Sequence, residues 1–146
     1  MNNRYLYRAK RTDNGEWVEG NVVLSNDADE EYKSIIIPAV NSNMFTQDNG
    51  NEDLGFENWH KVDPSTICQY TGLTDKNGKL ICENDVVKGA WFDKGKRHRH
   101  IGTVSYICCA YKVVGVKQYY GLHDELNGSY TVIGNIFDNP ELLEVE

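Results

Sequence analysis

The sequence predicts a mainly β protein with short helical turns, and two observations carry this prediction. Short runs rich in Val, Ile, Tyr and Trp recur along the chain, separated by Asn-Gly and other turn-forming residues. No long stretch has the strong 3.6-residue apolar periodicity of an amphipathic helix. The uninterrupted apolar runs are only a few residues long, so we expect no transmembrane helix, and residues 1–10 contain no apolar signal core.

Residues 1–67 are predicted to form an N-terminal β region that starts with a hairpin. Its two strands are expected at residues 5–9 and 16–24. Asn14 and Gly15 lie between them, and both residue types tolerate the positive φ angles of a tight turn.

The rest of this region is less regular. Residues 35–37 are three consecutive isoleucines and are predicted to form a short buried strand that Pro38 ends. Residues 41–58 have few apolar anchors and no clear period, so we expect a long loop or a poorly ordered excursion. Asp63 before Pro64 is typical of a capped helical turn.

Residues 68–146 are predicted to form a second β region. Asn77-Gly78 turns the chain within the first part of it, and a capped helical turn is expected at Asn139-Pro140. Three further strands are predicted at residues 102–114, 118–122 and 130–137. The expected apolar core of the protein comprises Leu6, Trp17, Val22, Ile36, Ile67, Leu73, Ile81, Val86, Val104, Tyr106, Val132, Ile133, Ile136 and Leu142.

Three acidic residues lie close together in this region and pose the question of a catalytic or metal site. Glu83 and Asp85 share a face if the strand is extended, and paired carboxylates can bind a divalent metal or divide acid and base roles. Turn chemistry explains them equally well, because Asp75 begins a turn and its side chain can accept hydrogen bonds from backbone amides. Asn84 can adopt a left-handed conformation between the other two acids. We favour the hairpin, and expect no catalytic residue, metal or cofactor.

The four cysteines give no strong chemical signal. Cys108 and Cys109 are predicted to lie in the middle of a strand, and none of the four forms a C-x-x-C pair. A cysteine nucleophile needs a base that the fold positions, such as His123. Without an export signal, reduced thiols in a cytoplasm are the simpler interpretation.

A basic segment at residues 94–100 is the clearest candidate for a binding site. It holds four permanent cations and two histidines in seven residues, and an aromatic pair precedes it. Such a loop can contact phosphates while Trp91 or Phe92 stacks on a base. The candidate nucleic-acid-binding residues are Lys94, Lys96, Arg97, Arg99 and Trp91.

Overall charge argues against this interpretation. The chain carries 15 basic and 22 acidic side chains, a net charge of −7, and residues 1–67 alone hold 6 basic and 12 acidic ones. Acidity repels a phosphate backbone, so we favour a solvated hairpin connection whose charges prevent edge pairing. A third interpretation is that the basic loop docks on the acidic region of a neighbouring subunit.

Several motifs together resemble the YopX family of bacteriophage and prophage proteins. The first runs from Gln69 to Leu73, continues through Asp75-Lys76-Asn77-Gly78-Lys79 and ends at Glu83-Asn84-Asp85-Val86-Val87. The second spans residues 132–143, VIGNIFDNPELL. Tyr7-Arg8-Ala9 and Glu16-Trp17-Val18 fit more loosely. Asn84 departs from the family pattern, which usually has Gly there, but Asn also tolerates positive φ.

The resemblance implies a fold and an origin more than an activity. It implies an SH3-like barrel in the C-terminal half, at residues 68–146, packed with the N-terminal β-hairpin region as one compact unit. It also implies a phage or prophage protein in a bacterial cytoplasm, and no established enzymatic activity from which catalytic residues could be carried over. We therefore expect a non-catalytic interaction module that binds a phage or host protein or self-associates as a homo-oligomer, without a membrane partner. The alternative is a nucleic-acid-binding accessory protein that uses residues 94–100.

Overall fold

The computed structural model describes residues 5–48, 50 and 52–144. The chain divides into two compact units, the first comprising Tyr5–Gln69 and the second, among the described residues, 70–144. The strands are β1 (Tyr7–Lys10), β2 (Trp17–Leu24), β3 (Ser34–Pro38), β4 (Met44–Asp48), β5 (Glu52–Phe56), β6 (His60–Lys61), β7 (Cys68–Thr74), β8 (Leu80–Cys82), β9 (Asp85–Asp93), β10 (Lys96–Ile107), β11 (Ala110–Gly115), β12 (His123–Glu125) and β13 (Thr131–Asn135). The mainly β prediction is confirmed.

The first unit is built on an antiparallel sheet with the strand order β6-β3-β2-β1, and the start of β7 pairs with β1. The predicted Asn14-Gly15 hairpin is confirmed, because β1 and β2 pair from Lys10↔Trp17 onward and Gly15 has φ 72°. Its core is a cluster of Ala9, Ile36 and Val62. The isoleucine strand therefore supplies the buried centre of this unit, as the sequence indicates.

The prediction of a long loop at residues 41–58 is wrong. Most of this segment forms a β-hairpin of β4 and β5, a two-stranded sheet with Met44 opposite Phe56 and Thr46 opposite Leu54. The segment has few apolar residues because both faces of a lone two-stranded sheet meet solvent over much of their area, which leaves no clean apolar period to detect.

Among the residues that the structure describes, helical structure is limited to single 3-10 turns. The predicted turn at Asp63-Pro64 is confirmed as a 3-10 helix over Pro64–Thr66, where the Asp63 carboxylate accepts a hydrogen bond from the Ser65 amide. The predicted C-terminal turn is a 3-10 helix over Pro140–Leu142, although the Asn139 side chain makes no capping hydrogen bond to it. Two more 3-10 turns are Glu30–Tyr32 and Lys117–Tyr119. No helix among the described residues is long and apolar enough to span a membrane.

The second unit contains a five-stranded antiparallel sheet with the strand order β12-β11-β10-β9-β13. Its core is a cluster of Ile81, Val87, Val104, Val113, Leu126 and Tyr130. The sheet is open, since β12 and β13 are its two edges, and the described strands form no closed barrel. The closed SH3-like barrel expected from the family resemblance is therefore not found.

The strand predicted at residues 102–114 is two strands, β10 and β11, joined by a two-residue turn. Ile107 pairs with Ala110, so Cys108 and Cys109 occupy the turn, where both have positive φ and both are exposed. The prediction that these cysteines lie mid-strand is wrong. This turn could not be predicted from the residue types, because two central residues with positive φ are normally Asn and Gly, not Cys.

Two other expectations about the second region also differ. Residues 118–122, predicted as a strand, are largely the end of the Lys117–Tyr119 3-10 helix and the turn that follows it, before β12. Leu73, Tyr106 and Ile133, predicted in the core, are 39%, 58% and 39% exposed. Ile133 lies at a bulge, because the pairing of β13 with β9 shifts register between Val132 and Gly134.

Candidate functional site

The β9–β10 hairpin positions the basic residues, and most of the predicted basic loop is strand. The turn is only Lys94-Gly95, both with positive φ, and pairing is continuous from Lys96↔Asp93 to Thr103↔Val86. Arg97 and Arg99 are therefore fixed along an extended backbone whose side chains alternate between two faces. The alternation of cations and histidines in KRHRH is the signal in the sequence that indicates a strand.

The histidines occupy the opposite face of this hairpin from the arginines. His100 is fully buried, with its Nδ1 2.9 Å from the Tyr130 hydroxyl and its Nε2 3.0 Å from the Leu122 carbonyl oxygen. His98 stacks on Trp91, its cross-strand neighbour, with ring centroids 4.7 Å apart. Only His100 is buried, since His98 is exposed, so His100 anchors the hairpin to the core and thereby holds the arginine face outward.

Four cations converge on the arginine face around a cleft of about 500 Å³. The cationic cleft, as we call it, is lined by Lys76, Lys88, Gly89, Arg97, Arg99, Thr131 and Ile133. Lys88 comes from β9, opposite Ile101 and Thr131 in the register, and thus shares a face with the arginines. Lys76 comes from the turn between β7 and β8.

The turn that carries Lys76 is held by Asp75. One carboxylate oxygen of Asp75 accepts hydrogen bonds from the Asn77 and Lys79 amides at 2.8 and 2.9 Å. Its other oxygen accepts one from the Val132 amide at 3.1 Å, which ties the turn to β13. Burial by itself would raise the pKa of Asp75, but these backbone donors outweigh it, and the pKa lies below its ordinary value of 3.8.

The cleft has an unbalanced positive charge. No acidic residue lines it, and among residues 5–48, 50 and 52–144 none of its four cations forms an ion pair. The acid on this hairpin nearest the turn, Asp93, pairs with Lys96 in the register and so lies on the histidine face. Arg99 is oriented by a neutral partner, because its Nε donates to the Tyr119 hydroxyl at 2.8 Å. Such a cleft fits an anionic ligand.

The structure separates the five residues that the sequence singled out. Arg97 and Arg99 line the cationic cleft, whereas Lys94 lies in the turn and Lys96 on the histidine face. Trp91 also lies on the histidine face, half-buried against His98.

Sequence reasoning missed the two lysines that complete the cleft. It also did not decide whether Trp91 or Phe92 is the exposed aromatic residue beside the arginines. Lys76 and Lys88 are distant in sequence from the basic segment, and only the strand register brings them to Arg97 and Arg99. The exposed aromatic residue on the arginine face is Phe92, directly opposite Arg97.

The acidic residues near residue 80 serve the backbone of the hairpin. Asp75 accepts hydrogen bonds from three backbone amides, which confirms its predicted role in a turn. Asp85 is buried and accepts a hydrogen bond from the Cys82 amide at 2.8 Å. Asn84 has φ 67°, as its place between the two acids predicts. Within the described part of the chain, no group of three His, Cys, Asp or Glu side chains could hold a metal ion.

The first unit has an apolar pocket of a different character. Its volume is about 410 Å³, and it is lined by Tyr32, Ile35, Ile37, Phe56 and Trp59. The Tyr32 and Trp59 rings form one side of it, with centroids 6.0 Å apart. The exposed apolar side chains of the β4–β5 hairpin, Met44 and Leu54, add to the apolar surface of this unit at 62% and 60% exposure.

Comparison with known proteins gives a family and a structural neighbour. The family model described as YopX protein matches residues 6–144. The crystal structure of protein EF1440 from Enterococcus faecalis is similar, with a TM-score of 0.53 and 26% sequence identity over 94% of this chain and 96% of that chain. No curated protein matches the chain. Because the family model spans nearly all of the sequence, the chain belongs to the YopX family.

Proposed function

We propose that this protein binds nucleic acid non-catalytically through the cationic cleft. The observation that carries the proposal is the convergence of Lys76, Lys88, Arg97 and Arg99 without an acidic residue among the lining. Like charges held together repel one another, so such a cluster favours a ligand that neutralises it. Arginine side chains suit phosphates in particular, because the planar guanidinium can donate two parallel hydrogen bonds.

The net charge of −7 does not oppose local binding. At physiological ionic strength exposed charges more than about 8 Å apart are largely screened from each other. A phosphate in the cleft therefore interacts mainly with its four cations. The acidic remainder of the chain weakens non-specific attraction from a distance, which lowers the association rate more than it lowers the contact energy.

The test is fluorescence anisotropy with labelled single- and double-stranded oligonucleotides across a range of salt concentrations. If all four cations neutralise phosphates, log K should fall with log salt with a slope of about −2.8 for a single strand. This corresponds to roughly 50-fold weaker binding at 0.2 M than at 0.05 M salt. The variant Arg97→Gln/Arg99→Gln should halve the slope to about −1.4.

Two further variants separate the cleft from the basic segment as a whole. Lys88→Gln should weaken binding although residue 88 lies outside that segment, whereas Lys112→Gln on β11 is a matched control for loss of a cation elsewhere in the same sheet. Equal binding by all these variants and the native protein would refute the proposal.

A second candidate function is self-association through the first unit. It is favoured by the exposed Met44 and Leu54 on one face of a hairpin that forms its own two-stranded sheet, because such a hairpin is marginally stable without a covering surface. We propose a second copy of the chain as the occupant, with the apolar faces of two hairpins in contact.

Light scattering after size-exclusion chromatography tests this candidate. A native dimer that becomes monomeric in Leu54→Lys but not in the control Val40→Lys, another exposed apolar site, would support it. A native monomer at all concentrations would refute it, and a phage or host protein would then be the partner to seek.

The remaining proposals concern setting and architecture. The family supports a phage or prophage origin and a bacterial cytoplasmic location, and we propose that the chain acts without catalysis or a cofactor. We also propose that the second unit is an SH3-like barrel that remains open. The support is its strand order, a four-stranded meander from β9 to β12 whose first strand also pairs with the last, β13.

A further inference from the structure

We infer that the nucleic acid bound at the cationic cleft is single-stranded, with one base stacked on Phe92 while neighbouring phosphates contact Arg97 and Arg99. This inference rests on the proposed function and deepens it by naming the ligand class and the base-contacting residue. Its basis is the arrangement of aromatic, apolar and cationic side chains on one face of the β9–β10 hairpin.

Phe92 is placed to serve as a stacking surface beside the cations. It is directly opposite Arg97 in the antiparallel register, and side chains opposite each other have Cβ atoms about 4.5–5.5 Å apart on the same face. Its side chain is 69% exposed, so its ring is open to a ligand. An aromatic ring beside cations is the combination by which proteins bind single strands, since every base has a face that can stack.

Trp91 is the other aromatic candidate of this hairpin, but its ring is already stacked on the ring of His98. Its side chain lies on the opposite face from Arg97 and Arg99, and its ring is nearly parallel to the His98 ring, with an interplanar angle of 23°. A base could replace that contact only by displacing His98. The hairpin therefore offers one open stacking surface on the arginine face, and it is Phe92, which lies opposite Arg97 although it does not itself line the cleft.

The cleft itself has room and apolar surface for part of a nucleotide. Its volume of about 500 Å³ is within the range of small-ligand pockets, roughly 300–1,000 Å³. Ile133, exposed by the bulge in β13, adds an apolar contact among the cations. A site for phosphate alone would need no apolar surface, so the lining fits a ligand that also has a sugar or a base.

A duplex could not use this arrangement without disruption. Its bases are stacked on one another, and a base must leave the stack at a cost of a few kcal/mol before it can reach an aromatic side chain. The cations would still contact duplex phosphates, but Phe92 would gain nothing. The inference thus predicts that the contribution of Phe92 distinguishes single strands from duplexes.

The experiment compares Phe92→Leu with the native protein by anisotropy against oligo-dT, oligo-U and a duplex of equal length. For the single strands we expect a loss of about 5- to 150-fold in affinity, the range measured for one base–aromatic stack, and for the duplex no change. Tyr120→Leu is the matched control, because Tyr120 is an 88% exposed aromatic residue outside the β9–β10 hairpin, in the turn that follows Lys117–Tyr119. The dT and U strands show whether the ligand is DNA, RNA or either.

The outcomes separate this inference from the proposed function. If Phe92→Leu binds single strands as the native protein does, while Arg97→Gln/Arg99→Gln loses binding, the inference is overturned and the proposed function stands. Tighter binding to the duplex than to the single strands would also overturn it. If no nucleic acid binds at low salt, both are refuted. Circular dichroism checks that each variant is folded. We expect Phe92→Leu to fold like the native protein, because the Phe92 side chain is exposed.

Discussion

Replacement of Asp75 by Asn tests how the turn that carries Lys76 is held. Asp75 is buried and its two carboxylate oxygens accept hydrogen bonds from three backbone amides. Asn has nearly the same shape but only one oxygen. That oxygen can still accept from Asn77 and Lys79, but the amide NH2 group would then face the Val132 N–H, and two donors cannot bond.

The expected cost follows from these contacts. A buried N–H left without an acceptor costs about 1–3 kcal/mol, and it arises here at Val132. The two remaining hydrogen bonds lose the assistance of the negative charge, which is worth roughly 1 kcal/mol for each. We therefore expect Asp75→Asn to lower the free energy of unfolding of the second unit by about 3–5 kcal/mol at pH 7.

The effect should depend on pH in a defined direction. The folded pKa of Asp75 lies below its ordinary value of 3.8, so the carboxylate stabilises the folded state fully above pH 3.8. This stabilisation is lost as the pH falls through the folded pKa, where Asp75 becomes protonated and resembles Asn. The difference between native and variant stability should therefore be constant near neutral pH and shrink below pH 3.8.

Two measurements check the prediction. Urea denaturation at pH 7 and at lower pH gives the stability difference, and hydrogen exchange at the Val132 amide reports the lost contact directly. Asp93→Asn is the matched control, because Asp93 is an exposed carboxylate of the same unit and such surface changes are usually within about 0.5 kcal/mol. An unchanged denaturation midpoint together with unchanged protection at Val132 would refute the role assigned to Asp75.

Two further predictions concern the same unit. Burial and the neighbouring Asp124 carboxylate raise the pKa of Tyr130 well above its ordinary value of 10.0, so the stability of the native protein should fall more steeply above pH 10 than that of Tyr130→Phe, by up to about 1.4 kcal/mol per pH unit. Alkaline denaturation checks this, and parallel curves would contradict it. Cys108→Asn/Cys109→Gly should raise the free energy of unfolding by about 1–2 kcal/mol, because both positions have positive φ in a two-residue turn. A lower urea midpoint in this variant would show that the thiols contribute contacts that offset the strain.

The sequence was most informative at positions where the preference of a single residue type fixes the local backbone conformation. Asn14-Gly15 turned the first hairpin, Asp63 capped a helical turn before Pro64, and Asn84 took the left-handed conformation. In each case the residue type itself has the backbone preference or the side-chain acceptor that the position needs. The family resemblance, which such turns carry, is confirmed by a family model that matches residues 6–144.

Prediction from local residue preferences failed where an apolar residue was expected in a strand or in the core but strand pairing placed it in a turn or on the surface. Cys108 and Cys109 are apolar and occur in an apolar run, so they were placed in a strand, but pairing of Ile107 with Ala110 leaves them in the turn. Ile133 follows the apolar pattern of β13, yet a register shift against β9 turns it outward. Both outcomes depend on how neighbouring strands pair, which is decided between segments and not within one.

By itself, the sequence determined the mainly β class, several turns and the presence of a basic segment with flanking aromatic residues. Only the tertiary structure decided which of those residues act together. The two-residue period of β10 sends Arg97 and Arg99 to one face and His98 and His100 to the other, and pairing with β9 adds Lys88 to the arginines. Residues far apart in the chain share a face only through strand register, and register is fixed by burial of the opposite face, here by the fully buried His100.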